Sequence, residues 1–226
     1  LRLPVPQAGA AGARAWPLTL RAASGERPVV RLVQPLRIRP GQIGGNDGQA
    51  LQNVRLQGLY LTRDAAFPAG EALIAQAVVN RLEVDGCTLD PGGALRLDGS
   101  LTGSRTPLRT AIRLTADRGL TPAQQAAFEQ TPEIVLRHCI AGAIAIDVNH
   151  RLGLVACIVD AGAGVDAAAP ALAIGAATGN AEAEWAAPLA FDGVTVLGRT
   201  RTERTRGQGG IFVHRFEAHD NQDSHV

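Results

Sequence analysis

Leu82-Glu83-Val84-Asp85-Gly86-Cys87-Thr88-Leu89-Asp90 aligns without a gap on Leu152-Gly153-Leu154-Val155-Ala156-Cys157-Ile158-Val159-Asp160. In both stretches apolar side chains alternate with others, a small residue interrupts, and the alternation resumes before an Asp. Val54-Arg55-Leu56-Gln57-Gly58-Leu59-Tyr60-Leu61, Leu189-Ala190-Phe191-Asp192-Gly193-Val194-Thr195-Val196 and Ile134-Val135-Leu136-Arg137-His138-Cys139-Ile140 carry the same pattern, which makes five copies. Period-two alternation marks a strand, because successive side chains of a strand leave on opposite faces. Each copy is therefore expected to be a strand.

With Leu59, Cys87, Cys139, Cys157 and Val194 taken as equivalent, successive copies lie 28, 52, 18 and 37 residues apart. Irregular intervals of this size belong to a solenoid with variable loops, whereas propellers and helical repeats keep a fixed period. The interval of 18 is close to the shortest circuit that three short strands and their turns can make, so the longer ones hold outward loops or an additional coil. Composition agrees: aromatics make up 4%, Met is absent, and all 22 basic residues are Arg. Small and branched aliphatic side chains suit thin stacked layers better than a wide globular centre. The expected fold is all-β, a right-handed parallel β-helix.

Other segments fit around the copies. Leu18–Ala22, Val29–Val33 and Leu36–Ile38 supply early rungs, and Leu172-Ala173-Ile174 supplies a later one. One short helical insertion is expected near 121–130, since Thr121 is an N-cap residue, Pro122 suits the first helical position, and Thr131-Pro132 closes the run. Residues 1–16 are rich in Ala, Gly and Pro and are expected to be loosely ordered. Residues 17–226 then form a single β-helix domain. The chain opens on Leu1-Arg2 and stops at Val226 without a turn or cap signal, so it reads as truncated at one or both ends.

Each rung of a parallel β-helix completes its core against neighbours about 4.8 Å away. On that reading Cys87, Cys139 and Cys157 point inward with Leu59 and Val194, as a reduced ladder of small hydrophobes. Their odd number, without a C-x-x-C spacing, is neither a disulfide framework nor a zinc signature.

Several functional classes fall away on composition. The net charge of +1 provides no global field for nucleic acid or an anionic membrane. No apolar run approaches the roughly 18 residues of a membrane span, and no leader pattern opens the chain. The compartment stays open between a cytoplasmic assembly and a released particle.

Leu18–Pro28, Leu82–Leu89, Cys157–Asp160, Val194–Thr200 and Gly209–His214 together resemble uncharacterised bacterial right-handed β-helix proteins. The resemblance spans most of the chain. It implies a protein encoded beside phage-tail-like contractile injection particles and their baseplate components, with no established activity. Members of that family continue with a Gly-Cys segment, from which Asn221–Val226 departs.

Because many β-helix proteins cleave polysaccharides, the acids need a chemical reading. A glycosidase needs two carboxylates about 5 to 10 Å apart for acid and base roles. Asp90 and Asp160 share a column three residues after the cysteine position, with Gly142 in the rung between, which separates them by two rungs or about 10 Å. Asp-Pro-Gly at 90–92 and Asp-Ala-Gly at 160–162 are also ordinary turn chemistry, the favoured reading. Asp147, with His150 and Arg151, forms the one dense polar cluster nearby, again at an expected turn. Asp85 and Asp192 share a column with Arg137 and Val155 and read as a solvated face.

His214, His219 and His225, with Asp220 and Asp223, have spacings that match neither a helical nor a strand-alternating ligand pair, so no metal is expected. Arg199, Arg201, Arg204 and Arg206 alternate with Thr and Glu and form the candidate binding feature for an acidic partner or glycan. The run lacks an interleaved aromatic on which a base would stack, and a solvated strand that discourages edge pairing is the favoured reading. The resulting expectation is a non-catalytic structural or attachment module with protein partners and no cofactor. The alternative is a carbohydrate-binding or pectate-lyase-like β-helix acting through Asp90, Asp147 and Asp160, with Trp16, Trp185 and Tyr60 as its candidate aromatics.

Overall fold

A left-handed residue in the middle of each repeat turns the backbone a corner, so the copies read as single strands are each two strands in two sheets. The computed structural model describes residues 17–38, 42–43, 46–47, 53–77, 79–92, 110–114, 132–146, 150–160, 172–174, 189–197 and 200–202. The first rung is β1 (Pro17–Arg21), β2 (Val29–Leu32) and β3 (Leu36–Ile38). A small antiparallel pair, β4 (Gln42–Ile43) and β5 (Asn46–Asp47), follows it and has no counterpart in the repeat. The second rung is β6 (Asn53–Gln57), β7 (Tyr60–Arg63) and β8 (Ile74–Ala77); the third is β9 (Arg81–Asp85), β10 (Thr88–Leu89) and β11 (Thr110–Leu114). The fourth is β12 (Glu133–Arg137), β13 (Ile140–Ala141) and β14 (Ala143–Ile146), and the fifth β15 (Arg151–Val155), β16 (Ile158–Asp160) and β17 (Leu172–Ile174). The sixth is β18 (Leu189–Asp192), β19 (Thr195–Leu197) and β20 (Thr200–Thr202).

First strands pair only with first strands, second with second and third with third, which builds three parallel six-stranded sheets among the described residues. The arrangement is all-β and β-helix-like, with no helix in the described residues. The helix expected near 121–130 and the segment 1–16 lie outside them.

The rungs stack in chain order, but the sequence separation between copies does not track their spacing. Ile140 N–H donates to the Cys87 carbonyl at 3.1 Å, so the 52-residue interval contains no additional rung. Ile158 N–H donates to the Cys139 carbonyl at 2.9 Å across the short one.

Inward positions repeat from rung to rung. Leu18, Val54, Leu82, Ile134, Leu152 and Leu189 form one column, and Leu20, Leu56, Val84, Leu136, Leu154 and Phe191 the next. Ile74, Ile112 and Ile144 continue the core on the third sheet, and all three sheets share one buried cluster. Burial fades toward both ends, where Leu18, Leu20, Leu189 and Val196 are only partly covered.

The corner residues are Gly58 (φ 70°), Gly86 (φ 59°), His138 (φ 52°), Ala156 (φ 49°) and Gly193 (φ 60°). The N–H groups of the first four point to the following rung: Gly86 donates to the Arg137 carbonyl at 2.9 Å and Ala156 to that of Asp192 at 2.7 Å. Two residues later the direction reverses, and Thr88 N–H donates to the Leu59 carbonyl of the preceding rung at 2.9 Å. Left-handed backbone costs an ordinary L-residue about 1–2 kcal/mol, which glycine avoids at a smaller entropic cost. Ala156→Gly is therefore expected to raise the unfolding free energy by about 0.5–1 kcal/mol, seen as a higher urea midpoint with an unchanged slope. A lower midpoint would mean that the corner is not strained.

Candidate functional site

Among the described residues the largest polar constellation lies on the outward face of the first sheet, where β6, β9 and β12 carry Arg55, Arg81, Glu83, Asp85, Glu133 and Arg137. Strand alternation sends Leu82 and Val84 inward and leaves Arg81, Glu83 and Asp85 outward, and the parallel register sets Arg55 opposite Glu83 and Arg81 opposite Glu133. Arg81 pairs with Glu133 at 2.6 Å, and Arg55 reaches Asp85 diagonally at 2.7 Å. Glu83 lies in the middle, 3.8–3.9 Å from Arg55, Arg81 and Arg137. Gln57 Nε2 donates to Asp85 at 3.4 Å, and His138 Nδ1 lies 3.4 Å from the other Asp85 oxygen. Both Asp85 oxygens are thus engaged.

Partial burial by itself raises the Asp85 carboxyl. Hydrogen bonds from Arg55 and His138, with their charges, outweigh that and hold it below its ordinary value of 3.8. Asp85 in turn raises Arg55, chiefly through the shared hydrogen bond. A carboxylate whose folded pKa is lowered stabilises the fold above its unfolded pKa, and loses that contribution as pH falls through the folded value. Wild type should therefore exceed Asp85→Asn in urea midpoint at neutral pH, with the difference shrinking below pH 3.8. A difference that grows on acidification would contradict the ion-pair assignment.

The cysteine column follows the expected register. Leu59, Cys87, Cys139 and Cys157 are buried, and Val194 is partly buried at the end. All three thiols are free. Cysteine does more here than fill space, because reversal of the hydrogen-bond direction at the corner leaves one backbone N–H over. Leu59 N–H meets the Cys87 sulfur at 3.4 Å, and the backbones of Cys87 and Cys139 stand in the same relation to the sulfurs of Cys139 and Cys157. The thiols themselves donate to carbonyls, Cys87 to Leu56 at 3.5 Å and Cys139 to Val84 at 3.3 Å. Burial pushes the Cys87 thiol up. The neighbouring Cys157 side chain and then burial push Cys139 up, while the Cys139 side chain beside it lowers Cys157.

Truncating Cys87 to alanine removes the sulfur and would orphan the Leu59 N–H, and an unsatisfied buried donor costs about 1–3 kcal/mol. Cys87→Ala should accordingly lower the urea midpoint more than Cys87→Ser, whose hydroxyl still accepts. The reverse order would reduce the column to apolar packing.

Of the acids with a candidate chemical role, Asp90 and Asp160 occupy one column with Gly142 between them, as expected. Asp90 is 5% exposed rather than on an open face. One of its oxygens accepts a short hydrogen bond from Thr62 Oγ1, and the other accepts Gly92 N–H at 3.0 Å, closing a turn. Asp160 is half-buried at the end of β16. His150 is buried and Arg151 exposed in β15, while Asp147 lies outside the described residues. Arg201 belongs to β20, although its side chain is not described, and Arg199, Arg204, Arg206, His214, His219 and His225 also lie outside. Among the described residues no group of three or more His, Cys, Asp or Glu could hold a metal ion. In the same residues no helix is long and apolar enough to cross a membrane.

Sequence reading singled out neither Arg55, Arg81, Glu83 nor Glu133. The signal was present in the equivalence of the copies, which puts Arg55 on Glu83 and, one residue before the copies, Arg81 on Glu133 once they are stacked. His138 has no such signal, since its contact with Asp85 depends on the corner conformation.

The outward face of the second sheet differs in chemistry. Val29, Tyr60, Thr88, Ile140, Ile158 and Thr195 form one column. Val29, Ile140 and Ile158 are 59%, 43% and 40% exposed. No protein-family model, curated protein or solved structure matches this chain.

Proposed function

We propose that the chain is a non-catalytic structural or attachment module, a right-handed parallel β-helix that presents side chains at fixed spacing to a protein partner in a larger assembly. The observation that carries this reading is the outward column of the second sheet. Ile140 and Ile158 lie side by side on adjacent rungs, at the register position that Val29 takes beyond Tyr60 and Thr88, and adjacent exposed apolar side chains favour protein contact. The acids support the same reading, since the Asp85 and Asp90 oxygens are engaged by Arg55, Gln57, His138, Thr62 and Gly92. The sequence resemblance supports a phage-tail-like contractile particle as that assembly.

The test is retention of the full chain on immobilised baseplate proteins, compared with an Ile140→Glu/Ile158→Glu double variant. Both side chains are exposed, so the variant is expected to fold with unchanged circular dichroism and to lose most of its retention. Equal retention of the two proteins, or none by the wild type, would overturn the proposal. Release of reducing ends from a polysaccharide panel, abolished by Asp160→Asn, would replace it with the pectate-lyase-like alternative.

A further inference from the structure

The outward face of the second sheet carries opposite charges at opposite ends of its stack. From the first rung to the fifth, one column holds Val29, Tyr60, Thr88, Ile140 and Ile158. Two residues further along each strand, on the same side, the next column holds Arg31, Thr62, Asp90, Gly142 and Asp160. Arg31 is exposed at the first rung, and Asp160 is half-buried at the fifth. Asp90 lies buried between them with both oxygens engaged by Thr62 and Gly92, so it sets no open charge on the face. A surface that is apolar along one column, basic at one end of the next and acidic at the other is complementary to its own reverse.

We propose that this face pairs with a second copy of the chain, the two sheets packing face to face about a two-fold axis that runs along the strand direction at the third rung. Such an axis keeps each column opposite itself and reverses the order of the rungs. Val29 then meets Ile158 of the second copy, Tyr60 meets Ile140, Thr88 meets Thr88, and Arg31 lies opposite Asp160, the unlike contacts each being made twice. Aligned sheets stack in this way about 10 Å apart. Charge selects the register. An axis between the third and fourth rungs sets Arg31 against Leu197, and an axis along the stack pairs each rung with its own copy, which keeps Arg31 four rungs from Asp160. Only the axis at the third rung brings the two charges together. The paired strip spans four rung intervals, about 19 Å, which covers less area than a permanent dimer, so the association is weak and rises with concentration. The inference rests on the attachment reading in taking this face for a protein contact, and it names the partner as a second copy.

Sedimentation of the full chain over a concentration series up to about 1 mM, where a Kd of about 1 mM still shows, tests it. The wild-type mass is expected to climb from one chain toward two. Arg31→Asp sets carboxylates against each other in both contacts and should weaken the pairing by roughly tenfold or more. The double variant Arg31→Asp/Asp160→Arg exchanges the charges within each contact and should recover most of the loss. Thr88→Arg, on the axis, brings two guanidinium groups together and should also weaken the pairing, whereas Thr88→Ser should not; this comparison leaves the Asp160 turn untouched. A wild type that stays monomeric throughout, a mass that grows past two chains, Arg31→Asp or Thr88→Arg pairing as well as wild type, or a folded double variant as weak as Arg31→Asp would overturn the proposal. Retention on baseplate proteins is read separately. A monomeric wild type that is retained ends this inference and keeps the attachment reading, and a paired wild type that is not retained does the reverse.

Discussion

Leu136→Ala is expected to lower the unfolding free energy by about 3 kcal/mol, within the roughly 2–5 kcal/mol range for truncating a buried Leu. Leu136 is 0% exposed and sits in the middle of its column, between Val84 on one side and Leu154 on the other. Two terms add: the transfer energy of the lost methyl and methylene groups, and the cavity left behind. The cavity term stays large because the backbone cannot close the gap. Strand spacing at this level is held by paired main-chain hydrogen bonds on both sides, and relaxation would have to break them. Leu189, in the sixth rung, is only partly buried, so Leu189→Ala should cost about 1 kcal/mol on the loss of less apolar contact. Urea midpoints of the two variants, read at unchanged slope, check both the size and the gradient. Equal costs at the two positions would show that the column is not a continuous core.

Asp90→Ala is expected to cost about 2 kcal/mol, although the residue ends a strand at a turn, where substitutions usually cost little. Its carboxylate is buried and accepts both the Thr62 hydroxyl and the Gly92 amide, so truncation orphans two donors. Arg63, from the neighbouring rung, donates to the Asp90 carbonyl at 3.1 Å and to that of Thr110 at 2.6 Å, so the same corner ties second-rung side chains to the third rung. Asp90→Asn keeps an acceptor oxygen and should recover part of the loss. The comparison separates structure from chemistry. A carboxylate required only by a substrate would lose activity in Asp90→Asn and leave the midpoint unchanged, whereas a turn-closing carboxylate moves the midpoint in both variants.

Stacking was legible because alternation is a local property. Leu82, Val84, Cys87 and Leu89 are inward in one copy, as are Leu152, Leu154, Cys157 and Val159 in the other, and all are buried. The column of Leu59, Cys87, Cys139, Cys157 and Val194 and the column of Asp90, Gly142 and Asp160 follow from the same alignment. The bend inside each copy was not legible. Alternation shifts phase at Gly86, where the inward positions step from Val84 to Cys87, but a phase shift does not announce that the φ of 59° there moves the following strand into another sheet. His138 and Ala156 hide the corner further, since neither residue type announces a left-handed backbone.

The amino-acid sequence by itself determined which residues share a register position and which side of a strand each occupies, because both depend on a period of two counted along a few residues. Only the tertiary structure decided that Cys87 and Cys139 are direct neighbours despite the residues between them, and that Asp85 gathers Arg55, Gln57 and His138. Neighbour identity across such intervals is set by main-chain pairing between rungs, which loop length leaves undetermined. Side-chain meeting adds the turn of the corner and the reach of each rotamer, neither of which is written in a local pattern.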